Sequence, residues 1–385
     1  MTKGLSSVLN ASRWCAAFIV LIHHVRHIVL ADLVNVENKS LPTKCFYFLT
    51  GLGHEAVMVF FVVSGLLVGA LTLEKWRTGV AAGMKDYFIH RFSRIYIVFI
   101  PALLVGFVID YFGSNNFDGA QLYSNSAQYK TLSLNTVIKD NLGIKVLFEN
   151  LAMLQSIVVG VLGSNGPLWS LAYEWWYYCI WALTVGTFFY QGVWRYVSAL
   201  FLCAVLIALP IKVLLLMTVW LLGVLVFYYG RSTLPKPPPL LGMLIFLGAL
   251  FFFRLTHNAE NHGVANSTYV DFARDFGLGL AYSIALVSCF TLEKPLWMNS
   301  LHTKLASFSY SLYLVHFPMM LLIIAIVQEY VGIEFLQQPT TESYLYFTLI
   351  VIFLCLYGYL FALITEKHTF KLVTLLRRII VSGKY

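Results

Sequence analysis

Runs of apolar residues close to twenty long recur from one end of this chain to the other, and that recurrence limits what it can fold into more than any single motif does. A run of that length with few charges crosses the hydrocarbon layer as a helix. Its backbone N–H and C=O groups find no water there and must pair within the segment, and the strict alternation of a barrel strand is absent from these runs. With 59% hydrophobic and only 11% charged residues among 385, a soluble globular domain is excluded. The expected fold is an all-α integral membrane protein, a bundle of about ten transmembrane helices near residues 13–31, 54–73, 94–112, 168–189, 196–210, 212–229, 238–254, 275–292, 305–328 and 344–365. Pro210 divides the fifth span from the sixth, and a shorter apolar segment, Val146 to Leu162, reads as a partial or re-entrant helix.

Charge sets the expected orientation. With both termini cytoplasmic, seventeen of the 26 Lys and Arg residues fall on the inner side, and the others, Lys130 among them, sit mostly in the longer outer loops. The net charge of +8 then reflects topology and contact with anionic lipid, so the lipid bilayer is a partner and no nucleic acid is implied. The first apolar run is long enough to span and has no cleavage site after it, so it is expected to remain as a helix. One integral-membrane domain over 1–385, with no attached soluble domain, is expected. Five cysteines fall within spans and only Cys45 lies in an outer loop, which argues against a disulfide framework. The outer region from Gly113 to Lys145 is rich in Asn, Ser, Asp and Tyr, which suits contact with sugars or simply a solvated loop.

Within this apolar frame the ionisable residues are the candidates for chemistry, because a charge inside the bilayer is costly and by default functional. Arg13 and His24 are eleven residues apart, which returns to within about 20° of the same helix face and separates them by roughly 16 Å along the axis. His24 has the ordinary imidazole capacity to take a proton from a hydroxyl and give it back. His23 and His27, four apart, could pair on a metal, yet no third ligand is placed by the sequence, and no metal is expected. Each histidine also has the plainer reading of a hydrogen-bonded packing residue.

Three further clusters stand out. Lys75, Arg77, Lys85, Arg91 and Arg94 lead into the third span, and Arg91 and Arg94 lie one turn apart at an expected helix start, where guanidinium groups and free backbone amides suit phosphates. Ordinary inner-side anchoring is the alternative. Glu174 closes the segment Gly166-Pro167-Leu168-Trp169-Ser170-Leu171-Ala172-Tyr173-Glu174 at the outer mouth of the fourth span, placed to orient a base, to bind an acceptor hydroxyl or to pair with an arginine. Ser309, Tyr313 and His316 follow the i, i+4, i+7 spacing of one helix face in the ninth span, and His316 is expected in a supporting role beside His24.

Taken together, these segments resemble the integral-membrane acyltransferase family 3, whose members move acyl groups to sugars and other hydroxyl acceptors at bacterial membranes. The resemblance spans nearly the whole chain: Arg13 with His24, Phe60-Phe61-Val62-Val63-Ser64-Gly65, Arg91 to Arg94, Gly166 to Glu174, and Ser309 to His316. Leu66 stands where phenylalanine is common, and Met58 where aspartate is. The resemblance implies acetyl-CoA as donor, an essential Arg13 and His24 pair, and Arg91 and Arg94 on the donor side. Joined to the residue reading, it leads to the expectation of an O-acetyltransferase of the bacterial inner membrane that modifies a cell-surface or lipid-linked saccharide, with His24 as general base and Glu174 orienting the base or the acceptor. Many relatives carry an additional esterase-like domain, which here is expected to be separate or unnecessary. Oligomeric state is not legible. Two other readings compete: a transporter whose intramembrane histidines relay protons, and an acyltransferase with a cytoplasmic small-molecule acceptor.

Overall fold

A computed structural model describes residues 2–77, 84–125, 137–260 and 268–381; Lys130 and the middle of the outer region 113–145 lie outside them. In chain order the helices are α1 (Lys3–Val29), α2 (Leu41–Leu49), α3 (Gly53–Ser64), α4 (Leu71–Arg77), α5 (Met84–Asn116), α6 (Ile144–Leu151) and α7 (Trp169–Phe189). Then follow α8 (Val193–Ala208), α9 (Ile211–Arg231), α10 (Pro239–Glu260), α11 (Thr268–Ser288), α12 (Asn299–Ala306), α13 (Ser309–Val331), α14 (Thr341–Ile364) and α15 (Thr369–Val381). A π-helical turn, Gly65–Ala70, joins α3 to α4.

Each of the ten expected spans overlaps a helix, the ninth being divided between the end of α12 and α13. Among the described residues eight helical stretches are long and apolar enough to cross a membrane. The two that fall short do so for different reasons. Helix α7 carries four tryptophans, Trp169, Trp175, Trp176 and Trp181, and three tyrosines, bulky side chains that rank low in hydropathy. Helix α8 has 16 residues, about 24 Å, which is less than the hydrocarbon thickness.

The chain forms two compact units, Met1–Ala16 with His54–Arg91 and Tyr173–Ala306, and Ala17–Gly53 with Phe92–Ala172 and Ser307–Tyr385. In the first, α9 is the central helix. Its Trp220 is wholly buried, met edge-on by Trp181 at 5.6 Å, and the Tyr177 hydroxyl donates to the Val213 carbonyl at 3.1 Å. The π-helical turn crosses α9 glycine to glycine: a Cβ on Gly65 would overlap the Trp220 carbonyl, and one on Gly223 the Val62 carbonyl. That close crossing is why the Phe60 to Gly65 segment ends in glycine.

In the second unit, α13 has apolar residues on every face and is mostly buried as far as Ala325. Leu312, Phe317, Met320, Leu321 and Ile324 pack with Leu21, Val25 and Ile28 of α1 and Leu354 of α14 in one core. Residues Leu336 and Gln337 close the end of α1, donating from their backbone N–H groups to the Ile28 and Val29 carbonyls at 3.1 and 2.9 Å, which satisfies acceptors that a helix end leaves open. Within 113–145, where it is described, Asn115, Asn116, Gln121, Ser124 and Asn125 are exposed as in a solvated loop, but three of the larger apolar residues are buried. Leu122, Tyr123 and Ile138 join the core because the polar composition around them hides three apolar residues with a surface to cover.

The start of α1, the start of α5 and the ninth span depart from the sequence reading, whereas Val146 to Leu162 is the partial helix it expects. Helix α1 starts at Lys3, ten residues before the expected span, since Leu5 and Leu9 are buried on one face. Helix α5 starts at Met84, so Arg91 and Arg94 lie about two turns inside it and away from the free amides of its first turn. The ninth expected span is broken at Ser307 and Phe308, and the segment Val146 to Leu162 is helical only to Leu151.

Candidate active site

His24 sits five residues from the end of α1, nearer that end than the sequence reading had it. Its ring is half-buried and stacks on His316 of α13, with centroids 5.4 Å apart and planes at 28°, while Phe317 meets it edge-on at 5.1 Å. His23 lies 5.2 Å from His24 and 4.3 Å from His27. Arg26 donates to His27 Nε2 at 2.7 Å and lies over the Tyr47 ring at 5.1 Å, so these two residues form a buried structural corner at the helix end. Asp32 faces that corner 3.6 Å from both Arg26 and His27, and burial pushes its carboxyl up from the usual range while Arg26 opposes the rise. Among the described residues no group of three or more His, Cys, Asp or Glu is arranged to hold a metal ion.

His316 is held by a distorted stretch of α13. Pro318 has no N–H, so the Leu314 carbonyl loses its helical donor. The Asn165 side-chain amide supplies it, at 2.9 Å. One residue earlier, the Tyr313 hydroxyl donates to the Pro167 carbonyl at 2.8 Å and therefore accepts from Ser170 at 2.7 Å. Gly106 of α5 admits the Pro318 ring, which a Cβ there would meet at 3.3 Å. The start of the Gly166 to Glu174 segment is thus the clamp on the Ser309 to His316 segment. Ser309 opens α13 and is buried.

Arg94 also belongs to this unit. It pairs with Glu366 at 2.8 Å and lies over the Tyr310 ring at 5.6 Å. The other Glu366 oxygen accepts from the Ser311 backbone N–H and hydroxyl at 3.3 and 3.0 Å. A guanidinium has five N–H donors, and one ion pair leaves others able to meet an anion.

Arg13, Arg91 and Glu174 fall in the first unit. All three are half-buried. Glu174 accepts from the Tyr178 hydroxyl, one turn on, at 2.5 Å. That bond orders a chain. Trp220 Nε1 donates to Ser64 at 3.0 Å, so the Ser64 hydroxyl gives its hydrogen to Tyr178, at 3.0 Å, and Tyr178 gives its own to Glu174. Ser64 is therefore engaged on both sides.

Sequence reasoning missed Asn165, Tyr178, Trp220 and Glu366. Only the first two left a signal: a proline inside an apolar helix demands a donor from elsewhere for the carbonyl four residues back, and Tyr178 stands four after Glu174.

A family model described as an acyltransferase domain, that of acyltransferase family 3, matches residues 7–367. The chain belongs to acyltransferase family 3. No curated protein and no solved structure matches it. Family membership makes it a membrane acyltransferase, and each of the five segments quoted from the sequence lies inside the matched region.

Proposed function

We propose that this acyltransferase moves an acetyl group from acetyl-CoA, bound from the cytoplasm, to a hydroxyl of a cell-surface or lipid-linked saccharide, as a multi-pass protein of the bacterial inner membrane with both termini inside. The stacking of half-buried His24 on fully buried His316, in a chain of this family, carries the reading. A hydroxyl oxygen attacks the thioester carbonyl carbon, its proton passes to His24, the carbon–sulfur bond breaks, and the departing sulfur takes the proton back from His24. Holding donor and acceptor against one base supplies much of the rate.

Arg94, kept in place by Glu366, and Arg91 bind the donor phosphates through their guanidinium groups. Arg13, earlier in α1, joins them on the donor side. Glu174 orients the base or the acceptor. The paired arginines favour an acyl-CoA enzyme over a transporter, which has no use for a coenzyme. Radiolabelled acetyl-CoA and a saccharide extract, incubated with the purified full chain in lipid vesicles, test the reading: the label should appear in the saccharide, and label remaining wholly in acetyl-CoA contradicts it.

A further inference from the structure

The imidazole of His316 is fixed in one protonation pattern by its own helix. Nδ1 lies 2.9 Å from the Tyr313 carbonyl and 3.1 Å from that of Leu312. Carbonyls only accept, so Nδ1 carries the hydrogen, and in the neutral ring Nε2 is the bare, accepting nitrogen. The residue is 0% exposed, and among the described residues Nε2 has no hydrogen-bond partner. Asn165 repeats the pattern. Its Nδ2 donates to Leu314, which fixes the amide and leaves Oδ1 as an acceptor; that atom too is buried and has no partner among the described residues. Two buried acceptors tied to one turn of α13 thus await donors. Leaving such a group unmet costs about 1–3 kcal/mol, and neither an anion nor another acceptor can meet it. What fits is a hydrogen-bond donor, an O–H or an N–H, and a hydroxylic acceptor brings O–H groups.

We propose that His316 Nε2 and Asn165 Oδ1 receive hydroxyl groups of the acceptor that neighbour the one being acetylated, so that the site selects a polyol with adjacent hydroxyls. This rests on the function proposed above, in which His24 takes the proton of the reacting hydroxyl. The 5.4 Å between the His24 and His316 rings is small enough for one sugar ring to meet both. The bonds that α13 shares with Asn165, Pro167 and Ser170 hold the turn in place before any acceptor arrives, and a site built to hydrogen-bond a hydroxyl discriminates strongly against the analogue without it.

Methyl hexopyranosides and their monodeoxy derivatives, assayed with radiolabelled acetyl-CoA and the full chain in lipid vesicles, test the proposal. In the wild type, removing a hydroxyl next to the acetylated one should lower kcat/KM by about tenfold or more. His316→Leu should lose a similar factor on the parent sugar and show almost no further penalty for the deoxy sugar. His316→Gln, whose Oε1 accepts near the Nε2 position but takes up no proton, should keep much of both the activity and the discrimination. Should the leucine variant fail to fold, the glutamine variant decides: loss of both properties, in protein that still binds acetyl-CoA, overturns the proposal. So does a leucine variant that keeps the full deoxy penalty, or a wild type that acetylates all the glycosides equally. A wild type that acetylates none of them overturns the saccharide reading itself, and this inference with it.

Discussion

The Asn165 side-chain amide donates at 2.9 Å to the Leu314 carbonyl, the one that Pro318 leaves without its backbone donor. The proline opens the helix and the asparagine closes the opening, two residues away from His316. Asn165→Ala should therefore cost about 1–2 kcal/mol of stability. In a Pro318→Ala background, where the backbone N–H returns, the same change should cost much less. Reversible unfolding of the four proteins in detergent measures the coupling, and strictly additive costs contradict it.

The crossing of Gly65 on Gly223 leaves no room for a side chain on either. Gly65→Val should lower stability by about 3 kcal/mol or more, seen as a loss of protein that survives detergent extraction. Wild-type yield and melting temperature would contradict the crossing.

Glu366 holds Arg94 in one direction. If Arg94 meets a donor phosphate from that position, Glu366→Gln should weaken acetyl-CoA binding by about tenfold, Arg94→Ala by at least as much, and the double variant no more than the worse of the two. Isothermal titration with acetyl-CoA checks all three, and unchanged affinity in both single variants removes Arg94 from the donor site.

Ser64 is spent as a link between Trp220 and Tyr178. Ser64→Ala should cost stability of about 1–3 kcal/mol while transfer continues within a few-fold of wild type. Mass spectrometry of protein quenched during turnover provides the contrary outcome: an acetyl group on Ser64.

Most of the helices were legible because an apolar run long enough to span is a local property, as with 54–73 and 344–365. The start of α1 was not, since Leu5 and Leu9 are buried among Ser6, Ser7 and Asn10 in a stretch with no continuous apolar run. The same holds for Leu122 and Tyr123, whose burial depends on the core they join. Of the candidate site, the sequence spacing singled out His24 and His316, and the structure stacks their rings. Glu366 opposite Arg94, and Trp220 behind Ser64, are pairings between distant segments, and no periodicity or local motif records them.

The most direct measurement compares wild type with His24→Ala, each purified and returned to lipid vesicles, for transfer of labelled acetyl from acetyl-CoA to a saccharide acceptor. His24 as the proton acceptor requires that transfer fall by about a hundredfold or more while the melting temperature and acetyl-CoA affinity stay near wild type. Transfer within a few-fold of wild type in such folded protein would contradict it.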